Sequence, residues 1–337
     1  MIESAHEKIV YVSNSSTLTT HPRLIATSPL KNADLLILSS LSQTPHMNPN
    51  SKINDFCLFI EKCLKNCNGN VLVPCYSSGI LYDLFECLTM HLERLNLTTP
   101  IYFISPIAEH SLAYSNILAE WLSDDKQSRV YIPEEPFPHA QLVRSGRIKH
   151  FSSLSEESFN NEFQTPCIVF TGHPSLRFGD AVHFIELWGS SPNNLILFTE
   201  PDFPCVEALA PYQPLSMKVI YCPIDTNFTF IQANKVIRDL KPANILLPYN
   251  YTAASVHSTN SSIGRNPSLD FTIEADCPMY SFKRGDILKL PIKCKYERLY
   301  IDPIVSCNFI VVHLLKYYCI ASLQVKLFQF KFSQGLK

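Results

Sequence analysis

Glycine is scarce in this chain, 9 residues in 337 against 24 prolines. Many connections are therefore stiffened and few turn freely. No GxxxxGK[ST] run occurs, which removes phosphate-loop nucleotide chemistry. No GxSxG elbow occurs, so the usual serine-hydrolase turn is missing. Charge is thin as well, with 17% charged residues and a formal net charge of −2. That balance gives no global electrostatic case for nucleic acid, and so little charge suggests that a partner covers some surface. No basic and apolar leader opens the chain, which begins "MIESAHEKIV". The most apolar stretch, "PIVSCNFIVVHLLKYYCIASLQV" (303–325), is interrupted by Lys316. Its longest uncharged piece, 303–315, is short of the ~20 residues that span a bilayer, so no membrane contact is expected. The twelve cysteines include no CxxC pair, and the tightest spacing is Cys63-x3-Cys67. Most fall inside apolar strand or helix patterns, as reduced buried thiols do. Structural zinc sites need paired spacing that is not here.

The apolar fraction is high, 46%, and the length allows two domains or one domain with a large insertion. Strands are expected at 8–12 and 33–40, then within "NGNVLVPCYSSG" (68–79), and at 100–108, "RVYIP" (129–133), 165–172, 193–200, 217–225 and 244–251. Between them fall helical patterns at 53–67, 79–95, 110–121, 181–189 and 230–240. In 79–95, Leu81, Leu84, Phe85, Leu88, Leu92 and Leu95 share one face. Uninterrupted apolar strands alternating with helices of this length indicate an α/β fold with a largely parallel sheet. The Ser/Thr/Asn-rich stretch 251–270 reads as a mobile loop, and 271–302 alternates like antiparallel strands.

In such sheets ligands gather beyond the carboxyl ends of the strands. Four tips follow the strands that end at 12, 38, 222 and 248: Ser13-Asn14-Ser15, Ser39-Ser40-Leu41, Pro223 to Asn227, and Tyr249-Asn250-Tyr251. Together they hold one carboxylate, Asp225, and no histidine. Two-metal hydrolysis needs several carboxylates and imidazoles converging on ions, which this set cannot supply. A serine nucleophile would need a histidine brought to it by the fold. His173, Arg177 and Asp180 in "TGHPSLRFGD" meet at a strand-to-helix junction that could bind an anion. The simpler reading is an Asx or Ser cap with a glycine turn. One basic run stands out. Lys283, Arg284, Lys289, Lys293, Lys295 and Arg298 face only Asp286 and Glu297, a local charge of +4. It is read either as a polyanion contact, using Lys283, Arg284, Lys293, Lys295 and Arg298, or as a lysine-protected strand edge.

Several long stretches occur in a recognisable order: "YVSNSSTLTTHP", "GNVLVPCYSSGILYDLFECL", "IYFISPIA", "VYIPEEPFPHA", "PCIVFTGHPSLRFGD", "HFIELWG", "TEPDF" and "EALAPYQPLSMK". Through them the chain, from about 8 to 302, resembles the β-CASP branch of the metallo-β-lactamase RNA nucleases. The resemblance implies a β-CASP domain inserted into an incomplete metallo-β-lactamase-like αββα fold. It implies a remnant of the lactamase half at 1–40, the β-CASP domain at 41–215, a return to the lactamase half at 216–302, and an unmatched apolar tail at 303–337. Active members hold two zinc ions at the four tips and on a His-x-His-x-Asp-His motif, which is absent here. Position by position, their ligands fall on Asn14, Ser39, Asn227 (or Asp225) and Tyr249. Amide, hydroxyl and phenol are poor zinc ligands, so a non-catalytic member with no metal or cofactor is expected. The resemblance further implies a nuclear scaffold for small nuclear RNA 3′-end processing, a fragment of a longer chain. Its partners would be a related catalytic nuclease subunit and a further scaffold subunit, with RNA reached indirectly. An active zinc hydrolase would have to recruit Asp225, His173 or His257.

Overall fold

The computed structural model describes residues 1–4, 7–13, 15, 23–42, 47–117, 122–131, 137–251 and 273–290, and the backbone alone of 309–315 and 318–323. Residues 1–290 form one unit and 291–337 a second.

The first unit opens with β1 (Ile2–Glu3), β2 (Lys8–Val12) and β3 (Leu35–Leu38). The chain then leaves for a long α/β excursion: α1 (Pro49–Lys62), β4 (Val71–Pro74), α2 (Leu81–Arg94), β5 (Ile101–Ile104), α3 (Ala108–Ile117), α4 (Asp124–Tyr131), α5 (His139–Arg144), β6 (Ile148–Phe151), α6 (Glu157–Glu162), β7 (Ile168–Thr171), α7 (Ala181–Trp188), β8 (Leu195–Phe198), α8 (Cys205–Leu209) and β9 (Lys218–Tyr221). It returns through α9 (Phe230–Leu240) to β10 (Ile245–Pro248) and β11 (Met279–Phe282).

The excursion builds a six-stranded sheet in the order β6-β5-β7-β4-β8-β9, parallel at every pairing. Its four central strands, β5, β7, β4 and β8, are buried at every position because both faces are covered. Val71, Val73 and Cys75 point to the side of α1 and α2, with Phe56, Ile60, Phe85 and Leu88. Leu72, Val169 and Ile196 point to the opposite side, with Phe184, Ile185 and Trp188 of α7. Helix α1 starts where Asn48 accepts from the Asn50 N–H and Pro49 opens the first turn. It ends in a π-turn closed by Asn68 at φ +47°. Gly69 follows because a Cβ there would meet the Asn193 carbonyl at 1.9 Å.

The five-stranded sheet runs β1-β2-β3-β10-β11. Helix α9 lies on one face, where Phe230, Ala233, Val236, Ile237 and Leu240 meet Val10, Val12, Leu36, Leu38, Ile245 and Leu247. Its start is fixed by a capping box, with Thr229 Oγ1 accepting from Gln232 N–H and Gln232 accepting in return. The second unit contains an antiparallel hairpin, β12 (Phe309–Leu315) with β13 (Tyr318–Leu323).

Four expectations need correction or completion. Arg129 to Tyr131, read as the start of a strand, end helix α4 instead. That helix is docked by Lys126, whose Nζ lies 2.6 Å from Glu86 Oε2 of α2 and 4.7 Å from the Phe137 ring centroid. A tertiary contact overrides the β-branched pattern. β11 is parallel to β10, in register Ile245 with Met279, rather than part of an antiparallel set. β9, placed by sequence after the return to the smaller sheet, is the edge of the six-stranded sheet, and the chain re-enters the smaller sheet at β10. Helices α5, α6 and α8 and strand β6 are short elements the pattern did not show. No helix among the described residues is long and apolar enough to cross a membrane. Apart from Tyr251, the loop expected at 251–270 lies outside the described residues.

Nine described cysteines are free thiols. Burial pushes Cys57 and Cys167 up to about 12 and Cys63 and Cys222 up to about 11, so these are protonated packing residues.

Candidate functional site

β2, β3 and β10 are parallel neighbours, so their carboxyl ends share one edge. The linker after β9 is laced to that edge. Phe228 N–H donates to Ser15 O at 3.0 Å, and Ser42 N–H donates to Phe228 O at 2.8 Å. Tyr251 Oη accepts from Leu41 N–H at 3.2 Å. The fold thus brings together the tips of β2, β3 and β10 and the segment carrying Asp225 and Asn227. Asn14, the position expected to replace a bridging carboxylate, lies outside the described residues.

Ser39, Asp225 and Tyr249 are already engaged. Ser39 Oγ donates to Tyr11 Oη at 3.0 Å, and the Ser39 and Ser13 hydroxyls hold the Tyr11 phenol below its usual range. Asp225 is buried; its Oδ2 accepts from Ser42 Oγ at 2.9 Å and its Oδ1 from the Asn227 N–H at 3.0 Å. Tyr249 carries the Lys283 ammonium 4.3 Å from its ring centroid. Lys283 and Asp286 close a tight turn, with Lys283 N–H on Asp286 Oδ2 at 2.8 Å. Lys283, Arg284 and Lys289 are exposed outside any strand, so the strand-edge reading fails for them. Lys293, Lys295 and Arg298 lie outside the described residues.

Two further constellations were weighed from sequence. The fold does bring a serine to a histidine: Ser115 Oγ lies 2.9 Å from His139 Nε2. The same Nε2 lies 3.1 Å from the Leu112 carbonyl, which only accepts, so Nε2 carries the proton and cannot serve as base to Ser115. At the 171–180 junction, His173 Nδ1 accepts from Ser175 N–H at 3.2 Å and pairs with Ser175 Oγ at 2.8 Å. Asp180 makes no side-chain cap to α7, contrary to the Asx or Ser cap reading. The glycine turn is present: Gly172 has φ +77°, and a Cβ there would meet Ala181 Cβ at 2.5 Å. His173, Arg177 and Asp180 make no bond with one another.

Residues 79–202 match the Beta-Casp domain family. The chain carries a β-CASP domain over that stretch. Human Integrator complex subunit 9 is 48% identical over 304 residues, 90% of this chain and 45% of that protein. The Integrator complex subunit 9 homolog of Nematostella vectensis is 50% identical over 310 residues, 91% of this chain and 46% of that protein. Arabidopsis thaliana cleavage and polyadenylation specificity factor subunit 2 is 29% identical over 133 residues, 39% of this chain and 17% of that protein. The chain spans a little under half the length of the subunit 9 proteins it matches.

The β-CASP nuclease site is one of zinc, and the donors here do not fit it. Zinc takes thiolate, imidazole or carboxylate. Ser39 and Tyr249 offer neutral oxygens, and Asn227 offers an amide. The lone carboxylate, Asp225, has both oxygens committed to protein donors. The ammonium over Tyr249 adds a positive charge beside the position where a cation would sit. Of the residues an active β-CASP enzyme would have to recruit, His173 follows the interior strand β7 of the larger sheet and His257 lies outside the described residues. Sequence reading missed a second polar group, Tyr76, Glu200 and Asp202, at the carboxyl ends of β4 and β8. "TEPDF" carried the signal, since period-2 counting from Ile196 puts Glu200 on the Leu72 face.

Proposed function

We propose that the chain is a non-catalytic scaffold of an RNA 3′-end-processing assembly of the Integrator type. In this reading it is a nuclear pseudo-nuclease that pairs with the related catalytic subunit, subunit 11, and with scaffold subunit 4. It touches small nuclear RNA only through them and has no membrane partner. What supports the reading is the donor set at the strand tips, where the resemblance puts hydroxyl, amide and phenol in the metal-ligand positions and Asp225 is spent on Ser42 and the Asn227 N–H. Retaining the sheet edge without its ligands suits a protein kept for the surface that its relatives present. The test is co-purification of the chain with the catalytic subunit, scored beside cleavage of a small nuclear RNA precursor. The reading predicts a complex whose cleavage survives Asp225→Ala in this chain. Cleavage by the chain alone contradicts it.

A second reading is favoured by one observation, the exposed Lys283-Arg284 turn after β11. With Lys293, Lys295 and Arg298 it would form a phosphate contact. RNA binding that weakens with salt, and weakens further when Lys293 and Lys295 are reversed to glutamate, supports that reading; insensitivity to both removes it.

A further inference from the structure

Two residues beyond the carboxyl ends of the central strands β7, β4 and β8 stand His173, Tyr76 and Glu200, side by side in the register of the sheet. Four rings gather there. The His173 centroid lies 5.2 Å from Tyr76, 5.0 Å from Phe203 and 4.5 Å from Phe178, and Tyr76 lies 6.5 Å from Phe203. Phe178 is 60% exposed, so a large ring faces solvent beside the cluster. His173 adds no positive charge. The Ser175 N–H occupies Nδ1, which leaves the imidazole neutral with its proton on Nε2, and burial lowers its affinity for a second proton.

Carboxyl groups border the Tyr76 ring, because the β4–β8 register sets Glu200 opposite it. Glu200 and Asp202 act on the Tyr76 phenol and, after burial, push it above its usual range. The Glu200 carboxyl is itself pushed up to about 7, by burial first and Asp202 second. Asp225 in turn raises Asp202, behind burial. Glu200 makes no hydrogen bond or ion pair with a described residue. A carboxyl that burial keeps from ionising gains from a cation placed beside it, and the neighbouring rings offer that cation a face. A cation meets both needs together, by pairing with the carboxylates and by stacking on the rings. A phosphate backbone meets neither.

We propose that Tyr76, His173, Phe178 and Phe203, with Glu200 and Asp202, form a receptor for one arginine side chain of a partner protein. A planar guanidinium stacks on the ring cluster, of which Phe178 is the exposed part, and turns its N–H groups toward the carboxyl groups beside Tyr76, which a compact ammonium does less well. The site lies beyond the carboxyl ends of the central strands of the six-stranded sheet and does not depend on whether the metal positions are dead.

The test is ring-proton NMR of His173 in the full chain, titrated with N-acetyl-arginine amide and, separately, with its neutral analogue N-acetyl-citrulline amide. A saturable shift with arginine only, its midpoint raised about tenfold in Glu200→Gln and in Phe178→Ala, is the expected result. Phe178 is solvent-facing and Glu200→Gln removes a desolvated charge, so both variants are expected to fold; the remaining histidine signals report this. Equal shifts with citrulline, no shift, or variants that bind like the parent overturn the proposal. A shift produced by oligouridylate in place of arginine overturns it in favour of a base-stacking site.

Discussion

Glu200→Gln tests the electrostatics of the β8 tip through stability alone. In the folded chain the Glu200 carboxyl titrates near about 7, against 4.5 in its ordinary setting. A raised carboxyl value means that the folded chain holds the proton more tightly than the unfolded one. Stability is then greatest below the unfolded value, falls as pH rises through the interval, and is fully reduced above the folded value. Each unit is worth about 1.4 kcal/mol, so the shift sets a ceiling of about 3 kcal/mol. Glu200 keeps some exposure and water screens it, which brings the expectation down to about 1–2 kcal/mol. Glutamine keeps the shape and removes the charge. Urea unfolding of parent and variant should therefore show Glu200→Gln more stable by that amount at pH 8 and close to the parent at pH 5. Equal effects at both pH values, or a less stable variant at pH 8, would refute the burial argument and weaken the case for a cation receptor with it.

Three further outcomes follow from packing. Phe85 is fully buried, with its ring 5.0 Å from Phe170 and 5.7 Å from Phe103, so Phe85→Ala should cost about 3–5 kcal/mol in urea unfolding. Lys126→Ala leaves Glu86 without its 2.6 Å partner; since Glu86 is only partly buried, a loss of about 2 kcal/mol is expected, and hydrogen exchange should quicken in α4. Thr229→Ala removes half of the α9 capping box and should cost about 1 kcal/mol, with faster exchange at the Gln232 amide.

The sequence revealed most where one rule decided the outcome. α9 lies where the pattern placed it because a capping box and an amphipathic face coincide at Thr229–Leu240. The buried strands were legible because a strand covered on both faces has no polar alternation to confuse with a helix. α4 was misread at Arg129–Tyr131 because its anchor, Glu86, is 40 residues away. The parallel pairing of β11 was hidden for the same reason, since Met279 is set against Ile245 by the sheet and by no local signal. At the candidate site, Ser39, Asp225, Asn227 and Tyr249 could be found by counting from strand ends. Their hydrogen bonds could not, and nor could the Lys283 ammonium over Tyr249. Glu200 escaped because its chemistry comes from burial at the end of β8, which composition does not record.

Central to the proposed function is that the edge formed by the ends of β2, β3 and β10 in the five-stranded sheet does not suit a metal. Zinc per chain, measured by elemental mass spectrometry after production in zinc-supplemented medium, tests this most directly. Well below one zinc per chain is predicted, unchanged by Asp225→Ala. One or two tightly held zinc ions, lost in that variant, would contradict it.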